Sequence, residues 1–320
     1  MVWEEPENVK DLHQLVSAWP LMPPERAMML LGASYPDAVC RSYAVKCIAL
    51  LSDNELADYM LQVVQTLKYE PYHVSPLAIF LLLRALKSPD LIGQTLYWHL
   101  QAEEHNPEMA MRFKLLKKQL LKSLSAEKRD ELTKQSGLMR ELEGVAKRVQ
   151  QVDKKQRLST FQEAIKRVEV GSVMTLPLDA SIQVRSLNKE KCKTLQSNTV
   201  PLWTVFHNSD ELADDVFVIV KVGDDLRQDI LILQIITVMD RVWKENNMDM
   251  YMLPYKCVAT GDKAGMIEIV LNSKTTAGIH KETFGALGAL NEGSIDSWLQ
   301  KHNPTPQGIL LAINTLCILS

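Results

Sequence analysis

The chain has 320 residues, of which 46% are hydrophobic and 23% charged, a mix that excludes a wholly disordered or collagen-like chain. The length predicts two domains. The net charge of −3, from 36 basic and 39 acidic residues, gives no general attraction to nucleic acid, so we expect no nucleic-acid partner. No apolar run approaches the roughly 20 residues of a membrane span. Five cysteines without a CxxC pair indicate neither a disulfide framework nor a zinc site, and the acidic first residues do not resemble a signal peptide.

Residues 1–125 show the three- and four-residue spacing of apolar side chains that predicts helices. Pro24 is suited to a first helical turn, and Ser52 or Asp53 to a helix cap. Six short amphipathic helices with short breaks predict a HEAT-like α-helical array, whose ordinary role is scaffolding. Later helices of the array are expected at about Ser75–Leu86, Pro89–Gln101 and Pro107–Leu121.

Residues 126–170 are more polar, and Gly137 and Gly144 are expected to interrupt the helical pattern there. A helix from Lys154 to Val168 follows, so this stretch is predicted to be a linker with packing helices between two domains. From Arg112 to Lys155 there are 13 basic and 6 acidic residues. Such a segment could face an anionic membrane, and a solvated helical face or linker is the favoured alternative.

After Gly171 the pattern changes to short apolar runs and alternation, which predict strands. A return to helical spacing predicts one helix at Ile230–Val242. A small sheet with one helix after a helical array is an α+β arrangement. The predicted strands are Ile182–Leu187, Val216–Val220, Tyr255–Ala259 and Met266–Leu271.

Lys221 ends the apolar run Val216–Val220. A lysine at the end of a buried strand is costly unless it meets an anion, and phosphoryl transfer uses a lysine held in this way against nucleotide phosphates. The alternative is a lysine that extends into water, and spacing alone favours that alternative.

Further segments match a known family. Residues 221–229, Lys-Val-Gly-Asp-Asp-Leu-Arg-Gln-Asp, resemble the nucleotide-binding lysine segment of phosphoinositide 3-kinases. The Leu-Pro-Tyr and Gly-Asp-Lys motifs resemble those of the class I catalytic subunits more than those of classes II or III. The matches extend in order over about residues 10–303. The other matching segments are 67–70, 97–100, 201–203, 249–255, 260–270 and 298–305.

The resemblance implies a helical domain at 1–125, linker and packing helices at 126–170, and a kinase N-lobe with hinge at 171–303. The N-lobe would be a small antiparallel sheet with one helix. The C-lobe would be missing, and residues 304–320 would be a divergent, truncated tail. We therefore expect a fragment of such a kinase, truncated at both ends.

The resemblance also implies a nucleotide pocket, and Ser197 could offer a hydroxyl to a phosphate. Thr199 and Val200 stand where class I members usually carry basic residues, which weakens the expected grip on the terminal phosphate. No metal is assigned to histidine, and His99 is expected to be structural. The implied roles are Lys221 at the phosphates, Asp229 and Tyr255 near that lysine, Glu268 and Val270 holding the adenine through backbone groups, and Trp203 above it. Without the resemblance, Trp203 could be core, Tyr255 a strand-edge phenol and Glu268 a solvent-facing strand residue.

The parent activity implied is transfer of the γ-phosphate of ATP to the 3-hydroxyl of an inositol lipid, with Mg²⁺. The implied partners are a phosphoinositide at the membrane and a regulatory subunit, and the implied location is cytoplasmic with peripheral recruitment to the plasma membrane. The family's Asp-Arg-His loop and Asp-Phe-Gly motif occur nowhere in the 320 residues. We therefore expect no catalytic or metal-binding residues and no activity alone. The alternative is a non-catalytic short isoform or paralogue that acts as a helical scaffold.

Overall fold

The structure is a computed structural model that describes residues 5–284 and 293–308. The chain divides into two compact units. The larger contains Met1–Val238 and Tyr255–Glu268, and the smaller contains Met239–Pro254 and Ile269–Ser320. The tail from residue 309, expected to diverge, lies outside the described residues.

The larger unit begins with a stack of short helices, which confirms the predicted helical array. Two stretches are tighter 3₁₀ turns, at Met28–Leu31 and Leu67–Tyr69, and Pro89–Gly93 forms a π turn. The helices are α1 (Pro6–Ala18), α2 (Pro24–Ala27), α3 (Ala38–Ile48), α4 (Asp53–Asp58), α5 (Met60–Thr66), α6 (Pro76–Lys87), α7 (Gln94–Glu103) and α8 (Ala110–Ser123).

The helix starts follow the capping chemistry in the sequence. The Asp37 carboxylate accepts hydrogen bonds from the backbone N–H groups of Val39 and Cys40, both at 2.9 Å, which satisfies donors that the first turn of α3 leaves free. Ser52 and Glu55 form a capping box at the start of α4. Of the two residues predicted to cap this helix, Ser52 is the cap and Asp53 is the first helical residue.

The predicted interruption after residue 125 is wrong. Residues Ala126–Gln150 form one helix of 25 residues, α9, which passes through Gly137 and Gly144. A β-carbon added at either glycine would meet nothing within 4 Å, so each costs only some helix propensity. The burial of the apolar side chains on one face of α9 stabilises the helix by more than the two glycines cost. Helix α10 (Arg157–Ile165) follows.

Seven strands then form one antiparallel sheet, in the order β1-β2-β4-β5-β7-β6, with β3 paired to β4. The sheet confirms the predicted α+β arrangement. The predicted strand Met266–Leu271 is misplaced, because pairing with β5 ends at Glu268. The strands are β1 (Met174–Leu176), β2 (Asp179–Leu187), β3 (Lys193–Thr194), β4 (Leu202–Asn208), β5 (Val216–Val222), β6 (Cys257–Gly261) and β7 (Ala264–Glu268).

One face of this sheet shares a continuous core with the helices. Leu202, Val218, Val220 and Met266 are fully buried and belong to the same hydrophobic cluster as side chains of α3 to α9. Helix α9 packs on β5 and β1, and α7 packs on β6. The sheet therefore buries its inner face against the helical array.

A buried polar network joins the same elements. The Gln135 side chain of α9 accepts a hydrogen bond from Trp98 Nε1 at 2.9 Å. It donates to Gln94 Oε1 at 2.9 Å and to Thr175 Oγ1 of β1 at 2.7 Å. Gln94 Nε2 in turn donates to the Leu176 carbonyl at 2.8 Å. A buried polar group without a hydrogen-bond partner would destabilise the fold, so this network fixes the position of β1 against α7 and α9.

The smaller unit holds the end of α11 (Arg227–Glu245), together with α12 (Thr276–Phe284) and α13 (Ser294–His302). Asp240 and Lys244 pair one turn apart on α11, at 2.8 Å. In the described ranges, no helix is long and apolar enough to cross a bilayer.

We predict that Gly265→Ala destabilises the chain by about 1–3 kcal/mol, because the added β-carbon would stand 2.2 Å from the Val258 carbonyl oxygen and 2.7 Å from Leu226 Cδ1. Gly137→Ala is the control and should stabilise the chain by roughly 0.5–1 kcal/mol through helix propensity. Urea denaturation measures both. Equal stability of the two variants would contradict the close approach at Gly265.

Candidate functional site

Lys221 lies near the end of β5, and its side chain is half-buried. Its Nζ contacts Asp224 Oδ2 at 2.6 Å. Gly223 lies between them with a φ of +97°, a conformation that favours glycine, and its N–H donates to the Lys263 carbonyl at 2.7 Å. The turn after β5 is therefore tied to the β6–β7 turn, which holds Lys221 and Asp224 at one end of the sheet.

A row of half-exposed side chains crosses the outer face of the sheet beside Lys221. Trp203 of β4 is paired with Ile219 of β5, and Ile219 with Ile267 of β7. Directly paired residues point to the same face, so the three form an apolar platform. Lys221 follows Ile219 by two residues and shares that face. The platform therefore ends at a cation.

Lys221 is paired with Gly265, which has no side chain to fill the space beside it. Leu202 is paired with Val220, so the loop that precedes β4 ends beside Lys221. The geometry thus brings an apolar surface, a lysine and a loop together at one edge.

Trp203 is held on both sides. Lys193 Nζ stands 4.6 Å from the centre of its ring, and Phe217 meets it edge-on at 6.3 Å between ring centres. The cation over the ring is a favourable cation–π contact. Trp203 is therefore part of the platform, with one face already in contact with a lysine.

Asp229, Tyr255 and Cys257 lie near Lys221, and the charges of Asp229 and Lys221 act on the pKa of Tyr255 and of Cys257. Burial and the Asp229 charge raise the pKa of Cys257 to about 12, with Lys221 opposing the shift. Burial, then Asp229 and Cys257, raise the pKa of Tyr255, and Lys221 again opposes. The structure therefore brings Asp229 and Tyr255, the two residues predicted at the inner end of the pocket, near Lys221. Both Tyr255 and Cys257 stay protonated at neutral pH.

The two predicted adenine-holding residues fall in different units. Glu268 ends β7 in the larger unit, where its N–H donates to the Lys256 carbonyl at 2.9 Å and its carboxylate accepts from the Lys256 N–H at 2.8 Å. Val270 belongs to the smaller unit, where its carbonyl accepts from Ser273 Oγ at 2.6 Å. The Glu268 N–H is thus occupied by the Lys256 carbonyl.

The loop before β4 is held in an unusual conformation. Val200 is buried with a φ of +44°, which is strained for a β-branched residue. Ser197 Oγ accepts from the Thr199 N–H at 3.2 Å. Gln150 Nε2, at the end of α9, donates to the Thr199 carbonyl at 2.6 Å and to the Val222 carbonyl at 2.9 Å. Gln150 therefore links the loop to the strand that carries Lys221.

Sequence reasoning missed Gln150, Ile219 and Gly265. Strand alternation could have found Ile219, because it lies two residues before Lys221. The other two give no local signal, since their partners are distant in the chain.

The start of α11 is anchored to the helical array by a buried carboxylate. Glu103 of α7 has a side chain only 2% exposed, and it contacts Lys68 and Arg227, each at 2.8 Å. Arg227 also pairs with Asp225 at 2.7 Å. Burial alone would raise the pKa of Glu103, but hydrogen bonds from Lys68, Arg227 and Gln65 outweigh it and hold the pKa below its ordinary value.

Histidine does not contribute to the candidate site. Burial lowers the pKa of His99 to about 4, so its imidazole is neutral at pH 7. His207 pairs with Asp215 at 2.9 Å. Across the part of the chain that the structure describes, no three His, Cys, Asp or Glu side chains gather in a way that could hold a metal ion.

Comparisons with known proteins agree with this geometry. Residues 1–133 match the phosphoinositide 3-kinase family accessory domain, and residues 215–312 match the phosphatidylinositol 3- and 4-kinase family. The chain is 38% identical over 317 residues to phosphatidylinositol 3-kinase 2 of Dictyostelium discoideum, which covers 99% of this chain and 17% of that protein. Over nearly its whole length the chain is therefore similar to phosphatidylinositol 3-kinases.

Two further relatives show a similar likeness. The chain is 36% identical over 303 residues to phosphatidylinositol 4-phosphate 3-kinase C2 domain-containing subunit alpha of Pongo abelii, which covers 94% of this chain and 18% of that protein. It is 36% identical over 314 residues to phosphatidylinositol 3-kinase 3 of Dictyostelium discoideum, which covers 98% of this chain and 18% of that protein. The chain thus spans about a fifth of the length of the curated relatives it matches. The family resemblance read from the sequence is confirmed.

We predict that Glu103→Gln destabilises the chain by about 1–3 kcal/mol at pH 7, because it leaves Lys68 and Arg227 without their shared carboxylate. The pKa of Glu103 is lower when folded, so its contribution is present above the ordinary glutamate pKa of about 4.3 and is lost as the pH falls through the lowered value. The difference from wild type should therefore shrink below that pH.

Urea denaturation from pH 7 down to about pH 2 measures this difference across the window in which it should shrink. Glu163→Gln is the control, because the Glu163–Arg167 pair is exposed on both sides, and it should change stability by less than about 0.5 kcal/mol. A Glu103→Gln variant as stable as wild type at pH 7 would refute the anchoring role.

Proposed function

We propose that this chain is part of an ATP-dependent phosphatidylinositol 3-kinase and carries the N-lobe half of its nucleotide site. The observation that supports it most is the apolar platform Trp203–Ile219–Ile267, which ends at Lys221. A planar base needs an apolar surface, and phosphates need a cation at a fixed distance from it. The family relation supplies the substrate class, an inositol lipid phosphorylated at its 3-hydroxyl.

Each residue has a defined part in this proposal. Lys221 exchanges its contact with Asp224 for nucleotide phosphates, while Asp229 and Tyr255 line the inner end. Trp203 packs over the base, and the Glu268 carbonyl accepts from it. The hydroxyl of Ser197 and the loop held by Gln150 face the phosphates.

ATP would supply the phosphoryl group, and its fit rests on the platform and Lys221. Mg²⁺ fits less well with the described residues, because no cluster of carboxylates gathers there and Asp224 is already engaged with Lys221. No catalytic step through a metal is therefore assigned to these residues. A regulatory subunit and recruitment to the plasma membrane remain part of the proposal through the family alone.

We predict that Lys221→Met weakens ATP binding about tenfold or more, because it removes a charge-assisted contact to phosphate. Lys191→Met is the matched control, since Lys191 Nζ pairs with Asp215 at 2.7 Å much as Lys221 pairs with Asp224. Isothermal titration calorimetry measures the affinities. The proposal fails if both variants bind ATP as wild type does, or if wild type does not bind ATP.

We also predict that the 320-residue chain has no lipid kinase activity above background, because no Asp-Arg-His loop or Asp-Phe-Gly motif occurs in it to supply a base and metal ligands. The assay uses phosphatidylinositol vesicles with ATP and Mg²⁺, beside a lipid kinase of known activity. Turnover that requires ATP and Mg²⁺ and disappears in Lys221→Met would contradict the prediction.

A further inference from the structure

Helix α8 has two opposite faces of different character. Phe113, Leu116 and Leu120 are buried and pack into the core of the larger unit. The side chains on the opposite face of the helix are exposed. Positions three and four residues apart in a helix lie next to each other, so these exposed side chains form one surface, called here the outer face of α8. Its members are Met111, Lys114, Leu115, Lys118 and Lys122.

The charge on α8 has one sign. The 14 residues of the helix include five lysines and arginines and no carboxylate. Lys117, at the side of the helix, pairs with Glu104 at 2.7 Å. The three lysines of the outer face form no ion pair with any residue that the structure describes. The outer face therefore carries positive charge that the described part of the chain does not neutralise.

The three lysines of the outer face border a depression of about 330 Å³. Arg129, an exposed residue in the first turns of α9, borders it as well. Among the described residues around the depression, the one carboxylate is that of Glu104, which is paired with Lys117. Four cations held around one depression repel each other and raise the local concentration of anions. The depression is therefore suited to negatively charged groups.

Apolar side chains project from the other end of the outer face. Met111 is 64% exposed and Leu115, one turn later, is 44% exposed. The loop before α6 adds Tyr72 and Val74, which are 73% and 78% exposed. Arg112 Nη1, in the first turn of α8, lies 3.5 Å from the Tyr72 carbonyl oxygen, so this loop lies beside the apolar end of the helix. Large apolar side chains that are exposed together, rather than singly, mark an interaction surface.

We propose that the outer face of α8 docks on the surface of an anionic lipid bilayer. A helix that lies in a membrane interface places apolar side chains among the headgroups and lysines or arginines against anionic lipids. Met111 and Leu115 supply the apolar contact, and the three lysines supply the charge. Their long stems can also lie along the apolar surface while the ammonium groups stay in water.

The arrangement of the lysines favours a bilayer over an acidic protein. An acidic protein presents carboxylates in fixed positions, and a matching surface holds its cations in fixed positions too. The three lysines are exposed and have no ion-pair partner among the described residues, whereas a bilayer presents negative charge without a fixed pattern. The proposal does not rest on the nucleotide site, because none of the residues assigned to that site belongs to α8.

Co-sedimentation of the 320-residue chain with vesicles tests the proposal. One set of vesicles contains phosphatidylserine and phosphatidylcholine, and the other contains phosphatidylcholine alone. The charge variant combines Lys114→Gln, Lys118→Gln and Lys122→Gln. The control combines Lys154→Gln, Lys155→Gln and Lys166→Gln, which removes the same charge from exposed lysines outside α8. Thermal melts check that each variant folds.

We expect wild type to bind the phosphatidylserine vesicles, and to bind them less as the salt concentration rises. The charge variant should weaken this binding about tenfold or more, because each lysine near an anionic surface adds to the attraction. The control should stay within about threefold of wild type, since its lysines lie away from the docking surface. Met111→Ser together with Leu115→Ser should weaken binding about fivefold or more and remove the part that persists at high salt.

Several outcomes would overturn the proposal. It fails if wild type does not sediment with phosphatidylserine vesicles, or sediments equally with phosphatidylcholine alone. It also fails if the charge variant and the control lose binding equally, because net charge alone would then explain the effect. Wild-type binding by the Met111→Ser, Leu115→Ser variant would contradict the apolar contact. Binding to polyglutamate without binding to vesicles would identify an acidic protein as the partner instead.

Discussion

The side-chain amide of Gln135 is the interaction on which the larger unit depends. It is fully buried, and its oxygen and nitrogen contact Trp98 and Gln94 on α7 and Thr175 on β1. An apolar interface could slide by a fraction of a turn with little loss, but a saturated amide accepts only one arrangement. The hydrogen bonds of Gln135 therefore fix the position of β1 relative to α7 and α9, in addition to the core that these elements share.

The inner face of the sheet is fixed against the helices, and the outer face carries the apolar platform and Lys221. Because side chains alternate along a strand, Val220 points inward to the core and Lys221 points outward beside the platform. The packing of Val220 in the core therefore fixes the position of the Lys221 backbone on the outer face. Glu103 of α7 also pairs with Arg227, the first residue of α11, and so ties the start of that helix to the helical array. Helices that lack reactive groups of their own thus determine where the charged groups of the sheet stand.

Much of this was predictable from the sequence. The apolar run before Lys221 and the helical spacing of the first 125 residues identify strand and helices, because each is a local pattern. The family resemblance adds Asp229 and Tyr255, which the structure places near the lysine. The 25 residues of α9 were not predictable, since two glycines suggest a break and only tertiary burial overrides it. Nor was Gln150, whose partners lie 49 and 72 residues away.

The length of α9 makes it a lever. At about 1.5 Å per residue its 25 residues span roughly 38 Å, with Gln135 near the middle and Gln150 at the tip. A tilt of only about 3° at its first turn would carry that tip through about 2 Å over this length. That is enough to break the 2.6 Å contact with the Thr199 carbonyl and release the strained loop beside Lys221.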